Sequence, residues 1–303
     1  MDKIAIIIVH YNTPLDTRNC LESLEKIDTA GFEFKTFVVD NGSKENLILP
    51  HKKFKSVEVI RSNTNLGFTG GNNLGFRYAS ENFNPDYFLL LNSDTLVKTD
   101  FLVKLHNTLK TTPKMGLVSP KIYFAPGNEF HQHSYKKNEL GKVIWFAGGI
   151  IDWRNLQTTH IGVDEVDRGQ FDHLQSCDFV SGCCFLIRRE TLATAGVFDE
   201  RYFLYYEDTD LTRRVHRLGL ELGLCQESVI WHVNGGSSEG SGSDLQVFYQ
   251  TRNRLLFFFT HGTWRNKLTV LHFMLHLLTK GSRVERLAAA KFLRGHFGKE
   301  VII

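Results

Sequence analysis

Three strand-like runs in the first hundred residues, each ending in a polar cluster, constrain this chain most. IAIIIVH runs into Tyr11 and Asn12, FKTFVV into Asp40-Asn41-Gly42-Ser43, and YFLLL into Asn92-Ser93-Asp94. A continuous apolar run of this length is a strand covered on both faces, which is how strands of parallel sheets read. Between the runs the period changes. Pro14 suits a first helical turn, and Cys20, Leu21, Leu24 and Ile27 recur at helical spacing. SVEVIRS reads as a third strand, NLGFTGGNNLG opens a helix through Tyr78 and Ala79, and a further helix is expected from Asp100 to about Leu109. Strand–helix alternation predicts a mainly parallel sheet wrapped by helices, with ligands outside the carboxyl ends of its strands. The three polar clusters are therefore expected on one rim.

Beyond Pro120 the pattern loosens. WFAGGIID reads as a strand interrupted by Gly-Gly, and FVSGCCFLIRRE as another followed by a short helix. FDERYFLYYEDTDLTRRVHRLG ends in a helix that stops at Gly219. LELGLC and SVIWHV read as two more short strands, and a helical tail begins at DLQVF. The expected division is 1–243 for an α/β domain and 244–303 for a helical extension. A chain of 303 residues, 42% of them hydrophobic, supports this.

The formal charge of +3 gives no reason to expect a nucleic-acid partner. No apolar run reaches the roughly 18 residues of a spanning helix. Met1-Asp2-Lys3 leads straight into a strand-like run, so a cytoplasmic protein is expected. Cys20, Cys177, Cys183, Cys184 and Cys225 form no CxxC pair and read as buried free thiols. From Trp264 to Lys299, eight Lys and Arg face Glu285 alone, and Leu268, Leu271, Leu275 and Leu278 recur at helical spacing. Such a tail suits an anionic membrane surface or, equally, a helical cap or dimer surface; the oligomeric state is not legible.

In this order, IIIVHYN, VVDNGS, NLGFTGGNN, LLLNSDT, FVSGCCFLIRRE, FLYYEDTDLTRRVHRLG, WHVNGGS and YQTRNR resemble the family 2 glycosyltransferases of the GT-A fold, and within them the rhamnosyltransferase-like branch that builds cell-surface polysaccharide. The resemblance covers about Lys3 to Arg254. It implies a GT-A, Rossmann-like α/β fold with a C-terminal helical appendage. The implied reaction is inverting transfer of a sugar from a nucleotide diphosphate to a hydroxyl of a saccharide or lipid-linked acceptor. dTDP-rhamnose is the first expectation for the donor. UDP-hexose, UDP-N-acetylhexosamine and UDP-galactofuranose stay open, as does a non-catalytic sugar- or nucleotide-binding relative. A nucleotidyltransferase would need a basic Gly-rich signature near the N-terminus, which IIIVHYNTP lacks.

Roles follow residue by residue. Asp40 can accept from a uracil or thymine N–H, as the matching aspartate does in the family, or can simply close an Asx-turn. His10, Tyr11 and Asn12 are expected to line the nucleoside pocket. Gly67 and Gly71 let a helix N-terminus approach a diphosphate, with Asn65 and Asn73 as further contacts, unless the loop is a plain helix start. Asn92, Ser93 and Asp94 take the place of the family's DxD motif with one carboxylate missing. Asp94 would hold Mg2+ or Mn2+, and His232 matches a metal-ligand histidine of some relatives. Glu207 and Asp208 match the family's acid pair, with Asp208 as the base that deprotonates the acceptor and Glu207 orienting the acceptor or Asp208 itself. Without the family, helix-dipole complementarity would suffice to explain them. Asp210 reads as structural, paired with Arg213 or Arg214. Arg252 is assigned to a phosphate or to a solvated helix face. Gly235 to Gly242 reads as a lid.

Overall fold

Ile4 to Ile8 are wholly buried, so the first strand sits inside a sheet with both faces covered. The computed structural model describes residues 1–50, 53–233 and 242–300. Residues 235–241 of the expected lid lie outside them. In chain order the elements are β1 (Asp2–His10), α1 (Pro14–Leu24), β2 (Phe32–Asn41), β3 (Val57–Ser62), α2 (Gly67–Asn82), β4 (Tyr87–Leu91), β5 (Thr95–Val97) and α3 (Phe101–Thr111). They continue with β6 (Met115–Phe124), β7 (Ile144–Phe146), β8 (Gly149–Asp152), β9 (Gln157–His160), β10 (Cys184–Arg188), α4 (Arg189–Ala195), α5 (Glu207–Arg217) and β11 (Glu221–His232). The tail is α6 (Asp244–His261), α7 (Trp264–Lys280) and α8 (Arg283–Leu293).

The main sheet has the order β3-β2-β1-β4-β10-β6-β11-β5, with β7 on β6. β1, β2, β3 and β4 pair in parallel, as do β6 and β11, while β10 runs antiparallel between β4 and β6. This is the GT-A arrangement: a mainly parallel α/β sheet flanked by helices. Register carries the polar clusters to one edge. His10 lies opposite Asp40, and Asp40 opposite Arg61. Thr95 pairs with His232, which brings the end of β11 beside Asp94.

The structure differs from the sequence reading in the middle of the chain. LELGLC and SVIWHV are one twelve-residue strand, β11, not two. Its pairing with β6 jumps from Cys225–Pro120 to Val229–Lys121. Pro120 has no N–H to give the ladder, so the partner strand bulges there. That proline also hid β6, an interior strand that reads as irregular sequence. WFAGGIID splits at its glycines into β7 and β8, and β8 forms a separate hairpin with β9.

α2 lies on the sheet at close range. A Cβ on Gly75 would stand 2.5 Å from Cγ2 of Ile7 and 3.3 Å from Cγ2 of Val39. Helix propensity alone favours alanine at such a position by about 1 kcal/mol. Both neighbours are stiff, β-branched and buried, so overpacking should win. Gly75→Ala is expected to lower the unfolding free energy by about 1–3 kcal/mol in urea titrations; a gain in stability would mean that α2 does not sit so tightly on β1.

Candidate active site

The rim at the strand ends has two halves, joined by the turn before β10. One half is Asn92-Ser93-Asp94. Asn92 N–H donates to the Cys183 carbonyl at 2.9 Å, and its own carbonyl accepts from the Thr95 hydroxyl. Asp94 is buried, with its carboxylate 3.2 Å from Nε2 of His232. The His232 ring packs on Trp145 with centroids 4.6 Å apart, and its Nδ1 has no partner among the described residues. The other half is Asp208. Its carboxylate accepts from Gly182 N–H at 2.7 Å and from the N–H and hydroxyl of Thr209. Gly182 and Cys183 are adjacent, so one turn touches both halves. Burial, with Asp94 and Asp208 nearby, drives the Cys183 thiol well above its ordinary range.

Glu207 is buried beside Asp208, and its Oε2 has no hydrogen-bond partner among the described residues. Burial, and then the Asp208 charge, push its carboxyl well above the usual range. Asp208 is less enclosed. Burial raises it too, against the opposing pull of its hydrogen bonds to Gly182 and Thr209. Asp210, just beyond, is the reverse case. Burial would raise it, but His261 at 2.7 Å and Arg214 at 2.8 Å outweigh burial and hold it below its ordinary value. It is thus paired with Arg214, as expected, and also with His261, which the sequence did not suggest.

The segment that delivers these acids is strained. Phe203, Tyr205 and Tyr206 all have positive φ, at 64°, 68° and 71°. Each such non-glycine residue costs about 1–2 kcal/mol. Two adjacent side chains of α6 hold the segment. Asn253 Nδ2 donates to the carbonyls of Tyr202, Leu204 and Tyr205 at 2.7–2.8 Å. Arg252 donates to the carbonyls of Arg201, Tyr202 and Gly298. Arg252 is therefore neither on a phosphate nor on a solvated face. It is wholly buried, and its guanidinium is engaged by backbone carbonyls and by Asn253. Gly67, at φ 74°, abuts the same segment, where a Cβ would stand 2.4 Å from Phe203.

The nucleoside corner is tightly wired. Asp40 is buried and accepts from Ser43 N–H, Leu47 N–H and Arg61. Burial would raise it, but these bonds outweigh burial and hold it low. The turn geometry is thus formed, and beside it the half-exposed Arg61 guanidinium reaches solvent, as does Asn12. His10 is buried on the Thr17 hydroxyl, and burial lowers its pKa. Tyr11 lies next to it, half-buried. Asn12, at φ 57°, accepts from Lys44 N–H. Asn65 accepts from Gly67 N–H, and Gly71 lies near the start of α2 against Val9. Asn73 is turned away, bonded through both ends of its amide to the backbone of Phe198. Arg61 and Asn253 were missed in the sequence. Arg61 emerges only from the β2–β3 register, and Asn253 is an amide in the middle of an aromatic-rich helix.

Sequence and structure comparisons agree with this fold. The model of the family described as glycosyl transferase family 2 matches residues 5–195. A low-salt glycan biosynthesis hexosyltransferase of Haloferax volcanii is 26% identical over 256 residues, covering 84% of this chain and 75% of that protein. An N-acetylglucosaminyl-diphospho-decaprenol L-rhamnosyltransferase of Mycobacterium tuberculosis is 23% identical over 276 residues, 88% of each. The crystal structure of GalNAc-T7 with UDP, GalNAc and Mn2+ superposes with a TM-score of 0.64 at 15% identity, over 98% of this chain and about half (54%) of that one.

The Glu207 environment has a pH consequence. A carboxyl raised in the folded state binds its proton more tightly there than in the unfolded chain. Its contribution to stability is therefore fullest below the unfolded value, about 4.3, and is lost as pH climbs towards the raised folded value. Glu207→Gln should raise the thermal midpoint at pH 7 and leave it unchanged near pH 3.5. An equal shift at both pH values would show that ionisation is not the cause.

Proposed function

The chain belongs to glycosyl transferase family 2, and from that membership we propose that it transfers a sugar from a nucleoside diphosphate to an acceptor hydroxyl, with inversion at the anomeric carbon. The observation that carries this reading is the Gly182-Cys183 turn, which holds Asp208 on one side and the Asn92–Asp94 end of β4 on the other. In the proposed step the acceptor hydroxyl gives its proton to Asp208. The acceptor oxygen bonds to the anomeric carbon as the bond from that carbon to the diphosphate oxygen breaks, and the electron pair leaves with the diphosphate. The raised carboxyl of Asp208 suits a base that must take up a proton. Glu207, with its Oε2 unpartnered, orients the acceptor or Asp208 itself.

A divalent cation fits the donor half. Asp94 supplies a hard oxygen and His232 an imidazole nitrogen, a set that suits Mg2+ or Mn2+. Bound there, the ion would neutralise the departing diphosphate. No group of three His, Cys, Asp or Glu side chains converges among the described residues. The donor diphosphate must then supply the remaining ligands, so metal should bind weakly without donor.

dTDP-rhamnose remains the first donor, supported by branch resemblance and by the rhamnosyltransferase relative; UDP-sugars are the alternative. That relative's name also supports a lipid-diphosphate-linked saccharide as acceptor. Cell-surface polysaccharide synthesis at the cytoplasmic membrane face is the corresponding role and place. No described helix is long and apolar enough to cross a membrane.

Asp208→Asn should cut the release of nucleoside diphosphate from a dTDP- and UDP-sugar panel by about a thousandfold or more, while donor affinity stays within about threefold. Near-normal turnover would refute the base assignment. Asp94→Ala should abolish the Mn2+ dependence of donor binding measured by calorimetry, and a variant that kept it would place the metal elsewhere.

A further inference from the structure

α7 is apolar on two faces, and only one of them is covered. Val270, Met274 and Leu277 are buried against the rest of the protein. Trp264, Leu268, Leu271 and Leu275 are 67%, 57%, 38% and 57% exposed. At about 100° per residue these four fall within an arc of about 60°, well away from the buried face. A surface helix that merely caps a core needs one apolar stripe.

Charge says what fits the second stripe. α7 carries no Asp or Glu. Lys267 flanks the stripe on one side, and Arg265, His272 and His276 flank it on the other. Among the described residues no carboxylate pairs with Arg265, Lys267 or Lys280, and the exposed Arg286 and Arg294 follow on α8 and at its end. Leucines and a terminal tryptophan bordered by cations are the pattern of a helix lying in the plane of an anionic interface. A second copy of this chain would bring the same cations face to face.

The stripe is also connected to the acid pair. Asn266, in the first turn of α7, donates to the Trp153 carbonyl in the β8–β9 hairpin. Arg254 of α6 holds the same hairpin through the carbonyls of Asn155 and Leu156. Thr158 on β9 donates to the Tyr206 hydroxyl, immediately before Glu207. The tryptophan end of the stripe is thus linked through one hairpin to the acceptor side of the site.

We propose that the exposed face of α7 docks the protein on an anionic lipid surface, with Trp264, Leu268, Leu271 and Leu275 immersed and Arg265 and Lys267 on the headgroups. This rests on the proposed function and deepens its acceptor part by placing Glu207 and Asp208 near a bilayer, where a lipid-linked acceptor is held. The full chain should float with vesicles of about 30% phosphatidylglycerol in phosphatidylcholine, a mixture at about the charge density of an anionic leaflet, and should not float with phosphatidylcholine alone. Leu268→Glu with Leu275→Glu should weaken that binding at least about tenfold, since both side chains lose their apolar contact. Arg265→Glu with Lys267→Glu should weaken it mainly through charge and reduce its salt dependence. Leu268, Leu275 and Arg265 are exposed and Lys267 is half-buried, so thermal midpoints close to that of the wild type are expected and show that the variants fold. Equal binding by wild type and the leucine variant, or none by wild type, overturns the proposal. A concentration-dependent dimer in sedimentation that the leucine variant disperses would assign the face to self-association instead. Flotation needs no turnover, so it can succeed or fail independently of the Asp208→Asn result.

Discussion

The hold of Arg252 and Asn253 on residues 201–206 is the constraint on which the candidate site depends. Three non-glycine residues of that segment stand in left-handed backbone, a conformation that persists only where the surroundings over-determine it. Here six donations from two buried side chains, five of them to the segment itself and one to Gly298, do so. The result is an abrupt start to α5, with Glu207 and Asp208 at its first turn. The pair also ties the C-terminal stretch to this loop through Gly298, so α6 is part of what shapes the acid pair rather than an inert cap.

Three acids within four residues then meet three different fates. Asp210 is neutralised by Arg214 and His261 and anchors α5. Asp208 takes its hydrogen bonds from Gly182 and Thr209, at the edge of the rim. Glu207 has burial that nothing outweighs. Helix-dipole complementarity applies equally to all three and cannot account for that contrast. An uncompensated buried carboxyl lowers stability, and such groups cluster where chemistry needs a shifted proton affinity.

Much of the fold was legible because burial on both faces writes an unmistakable pattern. Ile4 to Ile8 and Phe88 to Leu91 could only be interior strands, and their polar ends had to meet at a rim. β6 was not legible because Pro120 and Ser119 break its pattern, and only pairing with β10 and β11 shows that the strand is interior. In the site, Asp94, His232, Glu207 and Asp208 were readable as types at strand ends and at a helix start, helped by family resemblance. Arg252 misled because an arginine on a helix signals charge, whereas here, in the middle of α6, its guanidinium serves backbone carbonyls. Asn253 was invisible for the complementary reason: its value lies in the conformation of a loop some 50 residues earlier.

Where the diphosphate sits is the decisive point. Apart from the candidate site, a concavity of about 1190 Å³ lies at the other end of β6 and β11, lined by Met115, Cys177, Glu221 and Leu224 among others. A crystal structure with a nucleoside diphosphate and Mn2+ decides between the two. Metal density touching Asp94 and His232 is predicted, with the diphosphate over the Gly182-Cys183 turn and facing Asp208. Diphosphate in the distant groove, or metal bound away from Asp94, would contradict this reading of the site.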